Sequence, residues 1–429
     1  VKDDAAISAA DKAKVAARNT IAFLGDGTFF NLGSAFIEAN TVLPTFVSTL
    51  TRSPLLIGLV STIRSFGYLV PQIFVAGFIE RLAWKKPFMM RAGLVMRVAV
   101  LGMALSALLG ARNPELSLAL FFACLILLSF GDGFSGLPWM DLVAKTIPAE
   151  RRAGLFGKMQ ATGGVAAFLG GFLIQRLLGT GMKYPFNYFV VMMLGFVFLC
   201  GSLLSMQFIQ DPGGRVPDTV VTMKEYLRSL PAAWKRNVLF QKVIYTRLLM
   251  GGIYLAQPFF AIHAQVDLHF APSTVGIFVS AQMVGIVAGG PLWGYLGDNH
   301  GAHWVVRLVT VSTMMTGALA LAARAAFFAG LVPATYALYF LLYFFLGASF
   351  GGTWIGFTNY IMDIASEETR ATLIGLLNTI AAPLTLLTLA GGWFLQVTSF
   401  AWLFLLEATL VFASVVAAWR LPDPREHRS

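Results

Sequence analysis

The chain has 429 residues, of which 57% are hydrophobic and only 12% charged, with 37 phenylalanines. That balance carries more apolar surface than a soluble globular chain can bury and belongs in a bilayer. The net charge of +10 sorts by membrane side rather than clustering, so no nucleic-acid role follows.

A helix needs about 20 mostly apolar residues to cross the hydrocarbon core. Twelve such stretches are predicted, roughly 21–46, 55–79, 87–110, 116–139, 153–177, 185–208, 239–264, 273–296, 304–328, 334–360, 371–395 and 398–420. The alternating ten-residue pattern of a lipid-facing barrel is absent, which leaves helices as the spanning element. The expected fold class is an all-α polytopic membrane protein with twelve transmembrane helices. Its expected parts are an N-terminal segment 1–20, a six-helix bundle 21–209, a linker 210–237, a second bundle 238–420 and a tail 421–429. Residues 1–20 hold three aspartates and no apolar run, so the first helix is expected to act as its own insertion signal. Of the 31 Lys and Arg, 23 fall at the termini and in even-numbered connections, and five in odd-numbered ones. Positive charge stays inside, so both termini are expected in the cytoplasm, with the protein in a bacterial inner membrane.

In chain order, the polar residues inside these helices are the informative ones, because a charge at mid-bilayer costs about 2.5 to 3.5 kcal/mol unless paired or hydrated. Helix one carries Asp26 and then Asn31, Ser34, Glu38, Thr41 and Thr45 at spacings of three and four, one polar stripe on a continuous helix. Glu38 lies about 27 Å along that helix and Arg64 about 24 Å along helix two. The matched depth predicts a Glu38–Arg64 pair, either changing state in function or standing as a static salt bridge. Arg97 on helix three is a candidate static partner for Asp132 on helix four. Thr222 and Glu225 in the linker have the form of a capping box for a short surface helix. Helix seven presents Arg247, Tyr254 and Gln257 on one broad face. Helix ten carries Tyr339, Tyr343, Phe350 and Trp354 at spacings of four, seven and four, which serves packing or a ligand platform equally by spacing. Glu407 on helix twelve has no assigned role.

A shift of 218 residues superimposes Pro54 on Pro272, Gly58 on Gly276, Gly67 on Gly285 and Glu80 on Asp298, and also Arg152 and Gly157 on Arg370 and Gly375. Two six-helix halves in parallel repeat follow. Between helices eight and nine, GYLGDNHGAH places Gly294, Asp298 and Gly301 in the spacing of a signature loop. The first-half counterpart AGFIERLAWKKP keeps Glu80 and the basic Lys85 and Lys86. With the twelve helices and the 6+6 repeat, the chain resembles the major facilitator superfamily over essentially its whole length. The glycines permit a tight reversal, and an acid there meets helix N-termini and arginines in only one of two arrangements of the halves. Two clusters are expected as a conformational latch: Glu80, Arg91, Asp141 and Arg152, and Asp298, Arg307, Asp363 and Arg370. Charges that merely mark helix ends are the alternative.

The resemblance implies that helices one, four, seven and ten line a central cavity, so that Asp26, Asp132 and Arg247 face it. It implies a secondary transporter of a small organic solute by alternating access, with protons as the simplest coupling ion and Glu38 or Asp26 as carrier. Helix five, GKMQATGGVAAFLGGFL, lacks the proline of the exporter motif, which leaves import and export open. An uncoupled facilitator, a drug or lipid exporter, and a transport-inactive receptor or assembly factor remain alternatives. No nucleotide-binding GxxxxGK[ST] loop occurs. His300 and His303 share one nearby acid, too few ligands for zinc. Neither an enzyme nor a cofactor is expected, and the partners expected are the solute, a proton and the lipid around a monomer.

Overall fold

The computed structural model describes residues 9–80, 82–179, 181–213, 234, 238–365, 373 and 376–424. In chain order the first half holds α1 (Ala9–Phe36), α2 (Val42–Leu50), α3 (Pro54–Glu80), α4 (Lys86–Leu109), α5 (Pro114–Thr146), α6 (Ala149–Gly179) and α7 (Phe186–Gln207). The second holds α8 (Val238–Met250), α9 (Ile253–Ala256), α10 (Phe259–Val266), α11 (Thr274–His300), α12 (Ala302–Phe328), α13 (Val332–Ile364), α14 (Leu387–Val397) and α15 (Phe400–Trp419), with a 3-10 turn at Ala382–Leu386 leading into α14. Among the described residues, ten helical spans are long and apolar enough to cross a membrane. The other two crossings, the first and the seventh, are interrupted: α1 and α2 share one, and α8, α9 and α10 the other.

The repeat offset holds in three dimensions. α5 and α13 begin and end 218 residues apart, at Pro114 and Val332 and at Thr146 and Ile364, as do the ends of α6 and α14 at Gly179 and Val397. The two interruptions fall within two residues of equivalent positions, after Phe36 and after Ala256. Different residues produce them. In the seventh crossing, Gly251 and Gly252 separate α8 from α9, and Pro258, which has no N–H to continue the ladder, starts α10.

In the first crossing the break is built on Glu38. Its carboxylate accepts from the Asn40 N–H (2.6 Å), Asn40 Nδ2 (3.1 Å) and Thr41 Oγ1 (2.9 Å), while the Leu43 N–H reaches five residues back to the Glu38 carbonyl at 3.0 Å. The backbone groups released by the break thus find partners without water. The expected continuous helix and single polar stripe therefore end near Ser34, because these local acceptors outweigh the regular ladder. Thr45 and Thr41 are buried in the packed far end instead. Glu38→Ala is expected to cost about 1 to 3 kcal/mol, seen as a lower thermal midpoint in detergent, with a smaller loss for Glu38→Gln, which keeps a carbonyl acceptor. An unchanged midpoint in the alanine variant would contradict this role.

α1 also starts earlier than expected, and Asn19 within it exchanges hydrogen bonds with the Gln210 backbone (3.0 and 2.8 Å), tying the start of the first crossing to the end of the sixth. Glu407 is fully buried between α15 and α12, close against the Gly317 backbone and 3.5 Å from Thr316 Oγ1. The linker capping box at Thr222 and Glu225 lies outside the described residues.

Candidate functional site

The termini lie on one face of the bundle pair, the side that the charge distribution assigns to the cytoplasm; the two halves meet at the opposite, far face. α6 and α11 cross there through bare backbone: a Cβ on Gly276 would stand 2.2 Å from the Gly171 carbonyl oxygen and 2.3 Å from the Gln175 nitrogen. Ser280 Oγ donates to the Phe168 carbonyl at 2.9 Å. α3 and α14 meet likewise, with Gly58 against the Thr388 carbonyl and Gly392 against that of Pro54. Gln265 on α10 reaches Thr45 on α2 (3.3 Å). Closer to the termini face, Gly154 and Gly157 on α6 and Gly290 and Gly294 on α11 have open space beside them. Among the described residues, the close backbone contacts between the halves gather toward the far face.

A cavity of 310 Å³ lies in the second half where it faces α3 of the first. Its walls come mainly from the second half: Arg247, Tyr254 and Gln257 from the interrupted seventh crossing, Phe350, Trp354 and Phe357 from α13, and Asn378 ahead of α14, with Leu69 of α3 from the first half. Arg247 Nη2 is 3.4 Å from the Tyr254 hydroxyl, and its Nη1 is buried without a hydrogen-bond partner. The aromatic series on helix ten divides in two. Phe350 and Trp354 are 64% and 62% exposed on the cavity side. Tyr343 is fully buried, stacked on Phe278 at 4.4 Å, and does not line the cavity. Tyr339 is buried beside it, its hydroxyl on His263 Nδ1. The contact of Tyr339 with His263 and the Arg324–Asp267 pair at the far end were not anticipated, because residues distant in sequence meet there. Asn378 was missed too, although a lone amide in an apolar span is a usable signal.

In the first half the expected pairings are exchanged. Arg64 does not reach Glu38; its Nη2 donates to Asp132 Oδ2 at 2.5 Å. On α3, Ser61 bonds the Ala39 carbonyl at the α1 break and Gly67 abuts Ser129 of α5. At about 100° per residue, Arg64 points between those two directions, toward α5, while Glu38 is consumed by its own turn. Equal depth said nothing of azimuth. Arg97 in turn does not hold Asp132. Its Nη2 donates to Ser202 Oγ (2.8 Å), which donates to Asp26 Oδ1 (2.6 Å), and Trp139 Nε1 donates to Asp26 Oδ2 (2.8 Å). Asp26 is thus buried inside the first bundle. Asn31 donates to the Gly27 carbonyl (2.8 Å) and packs on Gly163 of α6.

Two six-crossing bundles around a cavity, interrupted at equivalent helices, are matched by the family model described as Major Facilitator Superfamily, over residues 27–262 and 243–429. The chain belongs to the major facilitator superfamily. This superfamily member is an integral membrane protein, 26% identical over 295 residues to uncharacterised proteins of Mycobacterium tuberculosis and Mycobacterium bovis, an alignment covering 68% of this chain and 56% of theirs. The chain thus spans just over half the length of those curated relatives. Among solved structures it is similar to a variant of the nucleoside transporter NupG (TM-score 0.70, 12% identity, 95% of this chain and 99% of that one). It is also similar to a D-xylose-proton symporter (0.67, 15%, 96% and 98%) and to a bacterial homologue of the iron transporter ferroportin in its inward-facing state (0.64, 13%, 95% and 98%). At these identities the likeness is one of fold.

The superfamily signature loops are placed differently from the expected clusters. Gly301 ends α11 at φ +92°, the conformation a side chain resists, and so makes the reversal into α12. Gly294 sits inside α11, not in the turn, and Asp298 is exposed. Arg307 donates to the Leu421 carbonyl (2.9 Å) at the end of the last crossing and lies 5.1 Å over the Trp304 ring, so it holds a helix end instead of Asp298. In the first half Asp141 pairs with Lys85 (2.9 Å) and Lys145 (2.7 Å). Arg152 donates to the Ala144 and Ile147 carbonyls, satisfying the end of α5, and Arg91 is exposed. Lysines one helical turn away or across a short loop reach Asp141 before the arginines do. Asp363 lies in the last turn of α13. The Glu80 side chain and all of Arg370 lie outside the described residues.

Proposed function

We propose that this protein is a secondary active transporter that moves a small organic solute by alternating access, coupled to protons, in the inner membrane of a bacterium. The observation that carries this reading is the cavity that the second half forms against α3 of the first, beside an interface closed by glycine backbone contacts at the far face. Those contacts join the two bundles but not the helices within a bundle, so each half can rock as a unit and reseal on the opposite side.

Coupling requires a carboxylate whose partner changes with conformation. Asp26 and Glu38 each hold two or more donors on their carboxylates. Asp132 has a single described side-chain partner, Arg64; Asp132 is buried and Arg64 half-buried. Neutralising Asp132 removes the attraction and frees Arg64. The Arg64–Asp132 pair is therefore our coupling site.

A thermal-shift screen of purified protein against sugars, organic acids, nucleosides, lipids and cationic drugs at two pH values supplies the solute. Accumulation of that solute by proteoliposomes under an imposed pH gradient is expected to survive the Asp26→Asn, Glu38→Gln double variant. Loss of gradient-driven accumulation there, with downhill flux intact, would return the proton to Asp26 or Glu38. Flat transport across the whole panel, with a protein partner recovered by pull-down, would replace the transporter reading by a receptor.

A further inference from the structure

Among the described residues, the cavity wall carries one formal charge and no acid to balance it. Among the described residues that line it, only Arg247 is ionised at neutral pH and none is acidic. Its guanidinium has one long contact, to Tyr254 (3.4 Å), and Cζ lies 5.8 Å from the Phe357 ring centre. Nη1 is buried with no acceptor. Arginine elsewhere in this protein is treated otherwise: Arg64 has Asp132, Arg324 has Asp267, and Arg97 and Arg307 have carbonyls. A cation within a membrane domain, facing a cavity and short of acceptors, is a site awaiting an anion. A guanidinium also offers paired donors that match a carboxylate or phosphate in geometry.

The rest of the wall specifies what must be attached to that anion. Phe350 and Trp354 lie one helical turn apart on α13, both exposed on the cavity side, and offer a flat apolar surface. Gln257 and Asn378 supply neutral donors and acceptors. The volume, 310 Å³, is at the small end of the roughly 300 to 1,000 Å³ usual for small-molecule pockets.

Resting on the transporter reading, we infer that the solute is a small organic anion, an acidic head bound by Arg247 on a flat apolar or aromatic body that stacks on Phe350 and Trp354. Neutral solutes leave the guanidinium unpaired on binding, and cations add repulsion, so charge and not shape is the first criterion of selection.

The test compares isosteric probes on the intact wild-type protein. Binding of benzoate, indole-3-acetate and phenyl phosphate is measured against benzamide, indole-3-acetamide and benzylamine by thermal shift and equilibrium dialysis. At least one acid is expected to bind tenfold or more tighter than its amide, the scale of a charge-assisted hydrogen bond, and benzylamine not at all. Arg247→Gln is expected to erase the difference between acid and amide, and Arg247→Lys to keep part of it. Amides or the amine binding as tightly as the acids, no acid binding, or discrimination persisting in Arg247→Gln overturns the inference. The wild-type comparison decides even where a variant fails to fold. The transporter reading stands or falls separately: a protein that alternates between its two open forms yet selects amines loses only this inference.

Discussion

Gly276→Val is expected to abolish transport while leaving a folded, correctly inserted protein. The far face is closed by two helices crossing at their glycines, and even a methyl carbon on Gly276 meets backbone, 2.2 Å from the Gly171 oxygen and 2.7 Å from the Gln175 Cα. Ordinary carbon contacts begin at about 3.5 Å, and backbone cannot rotate aside as a side-chain tip does. α6 and α11 must separate, and since they belong to different halves, neither bundle's own packing is disturbed. Overpacking against mobile side chains already costs about 1 to 3 kcal/mol, and about 5.5 kcal/mol reverses a 99:1 equilibrium. The variant should therefore be held open at the far face. The measurement is labelling of Thr45→Cys, with Cys124 and Cys200 replaced by alanine, by an impermeant maleimide added from that side. Thr45 is buried in the closed contact and should be protected in the parent but labelled in the valine variant. Gly276→Ala should be intermediate. Protection of Thr45→Cys together with parental transport in the valine variant would show that this contact does not gate the molecule.

The second large effect is expected at Arg64 and Asp132. Asp132→Asn should retain downhill exchange of the solute and lose accumulation driven by a pH gradient, because the amide no longer takes up a proton. It also leaves Arg64 without its counter-charge in a membrane helix, at about 2.5 to 3.5 kcal/mol, so the thermal midpoint should fall. The Arg64→Gln, Asp132→Asn double variant removes both charges and should recover most of that stability without recovering coupling. A merely structural salt bridge predicts the opposite for transport, with coupling returning as stability returns. Gradient-driven accumulation in the stable double variant would exclude the pair as the proton site.

What each carboxylate does was legible only in part. Asp26, Glu38 and Asp132 were all recognisable as costly charges in apolar spans, and Arg64 as a partner for one of them. Depth along a helix, which spacing supplies, paired Arg64 with Glu38; the direction around the helix, which decides contact, paired it with Asp132. Helix ten shows the same division: its aromatics form one series in sequence, yet Tyr343 is sealed against Phe278 while Trp354 faces the cavity, because the same helix face runs from the closed end of the interface to the open one.

The sequence by itself determined the membrane environment, the number of crossings, the 218-residue repeat and the side on which positive charge gathers. These depend on composition and on one-dimensional hydropathy, which a bilayer reads directly. Tertiary structure alone decided where the first crossing breaks, which acid meets which arginine, and that Arg247 is left facing a cavity without a counter-ion. Each of those depends on the rotation of one helix against another, and that is set by the packing of all twelve crossings together, by glycines that admit a neighbouring backbone and by local acceptors such as the Glu38 carboxylate that compete with the helix ladder.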